Sequence, residues 1–450
     1  MLVLTLSGLL ALTSFISCVS AQLASGYSIG PLTTSSAKWA VKVCDVTKYG
    51  AVADKSTDLG PPLLAAFEAC IDGGVVNIPV GDFAMSTWVT LVGGSAWAIN
   101  LEGVIYRTGT AGGNMIYIEH STDFEIYSSR SSGAIQGLGY EFHSQGEYGP
   151  RLLRLYDVIN FAVHDIALCQ SGEVYNMIIR GANEGGLDGI DVSGFNMHIH
   201  DVEVTNKDEC VTVKNPSNHF LIENIHCNWS GGSCFGSLGL DTDIYKITYS
   251  NIYTLSSNNM MMLKSNGGNG SVSDCLFENF IGHSNAYSLY IDAFWTDLTL
   301  QPGNGVLYTG LTFSNWKGTC AAGNTRPPIY LNCPSTEPCT GIVIEDFAMW
   351  TDSGSAEYYK CIDAWGEGEC LRGGSAHTAY GTSTITVTAA PDVLQALANA
   401  YTRTSRTGYS AAKMPNDLAT PFDISSSIPI PTIPTTFFPG ATPATKRAYP

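Results

Sequence analysis

Short apolar segments recur along the chain in one repeating phrase: apolar, any residue, apolar, any residue, Asn or Asp, apolar. The phrase occurs at 161–166, 197–202, 220–225, 247–252, 275–280, 311–316 and 342–347, and its Asn or Asp positions are 23 to 36 residues apart. Repeats of this length, built from short strands and Gly or Asn turns without intervening helices, predict a solenoid of strands. We therefore expect an all-β fold, a right-handed parallel β-helix in which each coil gives one strand to each of several parallel sheets. A β-sandwich is the alternative, but its strands usually alternate in polarity and turn by hairpins.

The recurring Asn or Asp is explained by a tight corner, because these residues tolerate the left-handed backbone conformation. One spacing departs from the pattern, since Asn176 carries the marker only 11 residues after Asp165. That is too short to go once round the helix. The sequence therefore predicts one shortened coil near 168–172, with about half a coil absent.

The flanking segments differ from the repeats. Residues 22–43 are rich in Ser and Thr and predict a surface lead-in, whereas 58–69 carries apolar residues at helical spacing and predicts a helix that caps the end of the solenoid. Beyond 385 the regularity is lost, and a Pro-rich segment follows. We expect a single β-helix domain over 22–385 and a C-terminal extension over 386–450.

Residues 1–21 resemble a secretory signal peptide, with an apolar run to about Ile16 and small residues before a cleavage site after Ala21. No other stretch approaches the roughly 20 apolar residues of a membrane span. We thus expect a secreted, extracellular protein without a membrane partner. The formal net charge of −18 argues against nucleic acid as a partner, and an anionic substrate would need local basic residues to bind. We expect a monomer.

Secretion permits disulfides. Of 13 cysteines one lies in the signal segment, and the close pairs among the rest predict bridges Cys44–Cys70, Cys210–Cys227, Cys333–Cys339 and Cys361–Cys370. This leaves Cys169, Cys234, Cys275 and Cys320 as candidate buried thiols. Two sequons, at Asn228 and Asn269, are candidate N-glycosylation sites in an exported chain.

Four carboxylates stand out in a chain with only 14% charged residues: Asp188, Asp191, Asp208 and Glu209. In a coil of about 21 to 28 residues, a position lies beside its counterpart one coil later, roughly 4.8 Å along the axis. Glu209 follows Asp188 by 21 residues, so the two should stack on neighbouring coils. Clustered carboxyl groups raise at least one pKa, which gives the protonated acid and the ionised base that glycoside hydrolysis needs. The alternatives are a row of turn-capping aspartates or a calcium site.

Two downstream segments fall at the same coil spacing. Lys264 lies at a strand end, where it could bind a substrate carboxylate or simply be solvated. His283 and Tyr287 are predicted to lie in a loop after the recurring Asn of the repeat at 275–280. A loop histidine is often a plain surface residue, but this one is expected on the same side of the coil as the acids. Four aromatic residues could stack on sugar faces: Trp229, Trp295, Tyr287 and Tyr290.

These segments resemble glycoside hydrolase family 28, the pectin-degrading parallel β-helix enzymes of the pectin-lyase-like fold. The resemblance is densest at 183–191, 200–214, 228–232 and 278–288. Polygalacturonases of that family carry Asn-Thr-Asp, Asp-Asp, Gly-His-Gly and Arg-Ile-Lys, where this chain has Gly186-Leu187-Asp188, Asp208-Glu209, Gly232-Ser233-Cys234 and Met262-Leu263-Lys264. The missing Arg and the shifted His favour a backbone of alternating galacturonic acid and rhamnose over homogalacturonan.

The resemblance implies endo-acting, inverting hydrolysis of the α-galacturonosyl–rhamnose bond, with no metal and no cofactor. Asp208 would be the general acid, Asp188 and Glu209 would hold and activate the water, Asp191 would support them, and His283 would orient the acid or the substrate. Family members have about a dozen more residues where this chain has its shortened coil. In those proteins the additional residues would contribute a strand to the groove-forming sheet just before the coil of Asp188. We expect weaker substrate binding on that side.

Other functions remain open at this point. Another family 28 activity, on polygalacturonan or xylogalacturonan, is one of them. A non-catalytic carbohydrate-binding solenoid would not depend on Asp208. A lyase that acts by β-elimination would need calcium and would give an unsaturated product, but no Arg lies near the acids in sequence.

Overall fold

The computed structural model describes residues 23–138, 149–167, 173–181, 186–321, 326–375 and 377–390. The predicted signal segment, the whole shortened stretch at 168–172 with Cys169, and the Pro-rich tail lie outside the described residues. The described residues contain three helices: α1 (Ser35–Val41), a short 3-10 helix (Val46–Tyr49) and α2 (Gly60–Cys70). Within the described ranges, none of these is long and apolar enough to span a membrane.

The strands up to the shortened coil are short, and thirteen of them are described. They are β1 (Val43–Asp45), β2 (Val75–Ile78), β3 (Asp82–Met85), β4 (Val89–Val92), β5 (Ala98–Leu101), β6 (Val104–Arg107), β7 (Asn114–Glu119), β8 (Thr122–Tyr127), β9 (Gly133–Gln136), β10 (Arg151–Tyr156), β11 (Ile159–His164), β12 (Ile166–Ala167) and β13 (Glu173–Arg180).

After the shortened coil, long strands that bend through the corners alternate with short ones. They are β14 (Ile190–Thr205), β15 (Glu209–Asn228), β16 (Gly232–Leu238), β17 (Thr242–Leu255), β18 (Met261–Ser265), β19 (Gly270–Asn285), β20 (Leu289–Asp292), β21 (Leu307–Cys320), β22 (Ile329–Asn332), β23 (Cys339–Thr351), β24 (Glu357–Ile362), β25 (Ala364–Glu367) and β26 (Thr382–Val387).

Nearly every ladder in the described part of the chain is parallel, which confirms the predicted parallel β-helix. The chain visits three faces in a fixed order, as β2, β3 and β4 and then β5, β6 and β7 show. The last strand of the described residues, β26, pairs antiparallel with β24 and ends at Val387, two residues beyond the boundary expected at 385. Apolar side chains from all faces fill one continuous core along the axis.

The recurring Asn and Asp residues form the predicted left-handed corners. Their φ values lie between 50° and 56° at Asp165, Asn176, Asp201, Asn224, Asn251, Asn279, Asn315 and Asp346. Their side chains also stack from coil to coil, since Asn224 Nδ2 donates to Asp201 Oδ1 at 3.2 Å and Asn251 Nδ2 donates to Asn224 Oδ1 at 3.2 Å. At Asn224 and Asn251 the side-chain amide therefore donates to the corner of the preceding coil, which fixes the register of neighbouring coils.

The third face supplies what we call the groove sheet: Ile190–Val192, Glu209–Val213, β16, β18, β20, β22 and β24. Its register runs from Asp191 through Thr212 and Cys234 to Met262, and the same column continues along the later strands. Successive strands in such a sheet are about 4.8 Å apart. Residues of this column point to the outer face of the sheet, where the candidate site lies.

The shortened coil removes one strand from this face. β11 pairs directly with β13 at an offset of 11 residues, Val163 with Val174, whereas the third face before the gap ends at β10. Among the described residues no strand pairs with the near edge of Ile190–Val192. Two strand spacings, roughly 10 Å, therefore separate β10 from the strand that follows Asp188. The position of the gap agrees with the prediction from the sequence.

The N-terminal lead-in packs more deeply than the sequence predicts. Lys38 on α1 is fully buried, and its Nζ lies 3.3 Å from Glu125 Oε1 on β8. Trp39 Nε1 donates to the hydroxyl of Tyr127 at 2.6 Å. This segment covers the outer surface of the first face because the sheet there presents charged and aromatic side chains that the segment can bond.

The helix expected at 58–69 is α2, and it covers the end of the core as predicted. Its buried side chains include Leu63, Ala66 and Phe67, and the Phe67 ring lies edge-on to Trp97 at 4.9 Å. Pro at its first turn suits the start of a helix, where the missing amide hydrogen is not needed.

All four predicted disulfides are present: Cys44–Cys70, Cys210–Cys227, Cys333–Cys339 and Cys361–Cys370. Cys234, Cys275 and Cys320 are buried free thiols, as expected.

Candidate active site

Two successive turns bring the acids together at the edge of the groove sheet. Asp188 lies two residues before the strand Ile190–Val192, Asp208 lies directly before the matching strand of the next coil, and Glu209 is the first residue of that strand. The Gly189 amide donates to the Glu209 carbonyl at 2.8 Å across the two turns. Carboxylate oxygens of Asp188, Asp208 and Glu209 all lie within 4.8 Å of one another. The stacking expected from the spacing of 21 residues is thus present.

A buried side chain, Asn206, holds these turns in place. Its Nδ2 donates to the Leu187 carbonyl at 2.7 Å and to the Glu209 carbonyl at 2.9 Å, so one amide joins the two acid-bearing turns. The sequence analysis did not find Asn206, because a single Asn in a loop carries no signal until its two partners are known.

Asp208 is half-buried and is held by the backbone. Its carboxyl accepts the amide hydrogens of Gly186 and of Glu209, the latter at 2.9 Å. The pKa of Asp208 is nevertheless raised above its ordinary value. Burial is the main cause, and the hydrogen bond with Glu209 and the negative charge of Glu209 add to it. A raised pKa lets this carboxyl keep its proton in mildly acidic solution.

Asp188 opens onto the groove and is the most exposed of the trio. The pKa of Asp188 is raised, mainly because the carboxyl is partly buried, and the charges of Asp191 and Asp208 add to the shift. A hydrogen bond with Glu209 and the charge of Lys214 oppose it.

Glu209 is buried and forms an ion pair with Lys264 from β18. Burial acts to lower the pKa of Lys264, but the acidic groups around it, Cys234 and Glu209 foremost, raise it overall, so the ammonium stays charged. The ammonium also lies 5.6 Å from the centre of the Trp295 ring. The structure therefore places Lys264 inside the acidic cluster, with Glu209 as a partner.

Asp191 has its own cation, which the sequence analysis missed. Lys214 Nζ lies 3.2 Å from Asp191 Oδ1, while burial, opposed by Lys214, raises the pKa of Asp191. The signal was available, because Lys214 lies two residues beyond Thr212 and alternate residues of a strand share a face. Two of the four acids thus have a lysine of the same groove as a partner.

His283 lies near the end of β19, in register with Leu255. Its Nδ1 is 2.9 Å from the hydroxyl of Ser284. By register His283 is three strands beyond Thr205, which precedes the Asp208 turn, and this corresponds to roughly 14 Å along the axis. Its catalytic role stays a prediction.

Tyr287 lies farther along the same groove sheet and packs with other tyrosines. Its ring stacks on Tyr290 at 4.8 Å, and Tyr290 stacks on Tyr330 at 5.2 Å. The hydroxyl of Tyr290 donates to Asp292 Oδ2 at 2.6 Å, which fixes the ring. Trp295 packs against the same apolar cluster, and the part proposed for Trp229 in sugar stacking stays a prediction.

The structure contradicts one of the two glycosylation predictions. Asn228 is fully buried on β15, and its Nδ2 is 3.5 Å from the Thr205 hydroxyl, so a glycan has no path to solvent from this amide. A sequon records only the residue types and not the face on which the Asn lies. Asn269 is exposed, and its glycosylation stays a prediction.

The chemistry of the trio suits proton transfer better than cation binding. Three carboxylates this close could hold a metal ion, but calcium takes six to eight oxygen ligands. The Lys264 ammonium already lies against Glu209 and would repel a second cation. A protonated acid beside a paired carboxylate is instead the combination that hydrolysis of a glycosidic bond requires.

The fold and the site together define a parallel β-helix with a carboxylate cluster of the kind that acts on polysaccharides. Residues 153–367 match the model of glycosyl hydrolases family 28. A probable rhamnogalacturonase B of Aspergillus fumigatus is 58% identical over 97% of this chain and 83% of its own length, and rhamnogalacturonase A of Aspergillus aculeatus is 57% identical over 97% and 98%. The chain belongs to glycoside hydrolase family 28, and the resemblance seen in the sequence is confirmed.

Solved structures agree on the fold. Endo-xylogalacturonan hydrolase from Aspergillus tubingensis superposes with a TM-score of 0.60 at 23% identity, covering 69% of this chain and 94% of the other. A polygalacturonase from Erwinia carotovora gives 0.54 at 16% identity, covering 78% and 100%. At these identities the likeness concerns the fold alone.

Proposed function

We propose that this chain is a secreted, endo-acting hydrolase of the rhamnogalacturonan backbone, cleaving the α-galacturonosyl-(1→2)-rhamnose bond. The observation that carries the proposal is the trio of Asp188, Asp208 and Glu209 within 4.8 Å at the groove sheet, with Asp188 exposed, in a chain that is 58% and 57% identical over 97% of its length to two rhamnogalacturonases. A sheet face that runs along the helix axis suits a polymer that binds along its length. The four disulfides support an extracellular location.

In this proposal Asp208 protonates the leaving oxygen, and Asp188 with Glu209 holds and activates the water. The raised pKa of Asp208 supports the acid role, and the ion pair with Lys264 supports Glu209 as a carboxylate. Asp188 also has a raised pKa, so the direction of the shift alone does not separate acid from base. Asp191 and Lys214 support the site as an ion pair beside it.

The stereochemical outcome needs its own measurement. Inverting glycosidases usually separate acid and base by about 6.5 to 9.5 Å, and retaining ones by about 5 to 5.5 Å. The carboxylate oxygens of Asp188, Asp208 and Glu209 lie within 4.8 Å of one another, which is below both ranges. We propose inversion on the family resemblance, with the water held between two carboxylates on one side of the bond, and NMR of the first-formed anomer tests it.

The decisive experiment compares product release from rhamnogalacturonan and homogalacturonan by the purified protein. We expect oligosaccharides from rhamnogalacturonan only, and a loss of about a thousandfold in Asp208→Asn, since removing a general acid costs that order of rate. Activity on homogalacturonan alone would refute the substrate. An unchanged rate in Asp208→Asn would refute catalysis by this cluster, and an unsaturated product lost with chelator would identify a calcium-dependent lyase instead.

A further inference from the structure

Farther along the groove sheet, on the C-terminal side of the acids, three tyrosines form a nearly parallel stack. The interplanar angles are 14° between Tyr287 and Tyr290 and 10° between Tyr290 and Tyr330. Tyr290 and Tyr330 occupy the same outward column of the sheet as Met262, in strict register across β18, β20 and β22. The stack therefore continues the floor of the groove that contains the acids.

Each outer ring of the stack has a cation over it. Arg326 Cζ lies 5.4 Å from the centre of the Tyr287 ring, and Lys360 Nζ lies 5.0 Å from the centre of the Tyr330 ring. Lys360 is itself the next residue of the outward column, paired with Tyr330 between β22 and β24. Contact with an aromatic face positions a cation without neutralising it.

These cations differ from the two lysines near the acids. Lys214 and Lys264 each have a carboxylate partner, Asp191 and Glu209. Within the described ranges, neither Arg326 nor Lys360 has a carboxylate within 4.0 Å, although the whole chain carries a net charge of −18. Uncompensated positive charge on an acidic protein, fixed in a groove, favours an anionic ligand at that place.

From these observations we propose that Tyr287, Tyr290, Tyr330, Arg326 and Lys360 form a distal subsite that binds uronate carboxylates of the polysaccharide several sugars away from the cleaved bond. The site rests on the proposed function, which supplies a polymer with regularly spaced carboxylates. By register, β20 and β24 lie three and five strands beyond the Glu209 strand, roughly 14 and 24 Å along the axis. Arg326 and Lys360 bind the carboxylates, and the tyrosine stack keeps the two cations apart and in place.

A contact this far from the reacting bond is the same in ground state and transition state. It should therefore lower KM without changing kcat. An exposed ion pair contributes little by itself, so we expect each substitution, Arg326→Gln or Lys360→Met, to raise KM on the polymer about threefold and the double variant about tenfold.

The test measures binding and turnover separately. In the Asp208→Asn background, the dissociation constant for rhamnogalacturonan is compared with and without the double substitution; in the active protein, kcat and KM are compared on the same polymer. Lys55→Met is the matched control, because Lys55 also lies over a tyrosine ring, Tyr106 on β6, at 3.7 Å but on a different face. A polymer whose carboxyl groups have been reduced to alcohols serves as the uncharged ligand.

We expect the double variant to bind the native polymer about tenfold more weakly, with kcat and melting temperature unchanged and Lys55→Met equal to the parent. The reduced polymer should bind parent and double variant equally. Equal affinity of parent and double variant for the native polymer overturns the distal subsite, and so does an equal loss on the reduced polymer. If the parent releases no product from rhamnogalacturonan, the proposed function fails, while the binding comparison still decides the subsite.

Discussion

The buried carboxyl of Glu357 predicts that the protein becomes less stable as pH rises from acidic to neutral. Glu357 begins β24 and is fully buried, and Cys320 Sγ lies 3.8 Å from its Oε2. Burial raises the pKa of this carboxyl to about 7 from 4.5; hydrogen bonds from Tyr359 and Cys320 oppose the shift, and the charge of Glu369 adds to it. The folded state thus holds a proton that the unfolded chain releases.

The sign and size of the effect follow from linkage. Between the unfolded pKa near 4.5 and the folded pKa near 7, the folded state binds more protons, so raising the pH favours unfolding. Below about pH 4.5 Glu357 is protonated in both the folded and the unfolded state, so it no longer makes the stability depend on pH. A difference of about 2.5 pKa units corresponds to a loss of roughly 3 kcal/mol in the free energy of unfolding. This loss is complete above a pH of about 7.5.

The assay is the free energy of unfolding in denaturant at several pH values from 4.5 to 8, for the parent and for Glu357→Gln. Glutamine has the same shape as glutamate and no charge. The difference in the free energy of unfolding between Glu357→Gln and the parent should therefore rise by about 3 kcal/mol from pH 4.5 to pH 8. A change in stability that the amide causes equally at every pH does not affect this difference. Glu345→Gln on β23 is the control, because Glu345 is exposed. Parallel curves for the parent and Glu357→Gln would show that Glu357 is not protonated in the folded protein, and the reasoning would fail.

Three other expectations follow from the site and the fold. Lys264→Met leaves the buried Glu209 carboxylate without its partner and should lower stability by about 3 kcal/mol, whereas Lys264→Arg should retain most of it; equal melting temperatures for parent and Met variant would contradict the ion pair. Replacing Cys210 and Cys227 by Ala together opens a loop spanning 17 residues and should cost about 3 kcal/mol in denaturant unfolding, and no change would refute a stabilising bridge. Inserting at 168–172 the segment that family members carry should complete the groove sheet and lower KM on rhamnogalacturonan, and equal product release with and without it would show that the gap does not limit binding.

The pattern of the sequence was sufficient for the fold because the decisive signals are local. A left-handed corner favours Asn, Asp or Gly at one position, and Asn224 and Asn251 mark such corners. The stacking of Asp188 beside Glu209 followed from one spacing, because a solenoid turns a difference in residue number into a distance. The shortened coil was visible for the same reason.

What the sequence did not predict depends on partners from other coils. Nothing near Lys38 in the sequence indicates burial, since its partner Glu125 is 87 residues away. Asn206 positions two turns through backbone carbonyls, and carbonyls leave no trace in residue types. The burial of Asn228 likewise depends on which face of β15 it occupies, which the sequon does not specify.

The N-terminal segment that packs on the first face makes contacts on both sides of the shortened coil. The Ala24 amide donates to Asn196 Oδ1 at 2.8 Å on β14, whereas the Leu32 amide donates to Asp123 Oδ1 at 2.7 Å on β8. Solenoids usually gain stability from neighbouring repeats alone, so a coil that lacks a strand would be a natural point for the two halves to unfold separately. A contact between residues 172 positions apart works against that separation. It also means that Ala24 can make this contact only after residue 196 has been synthesised, so the first residues of the domain must wait for the coil that carries the acids.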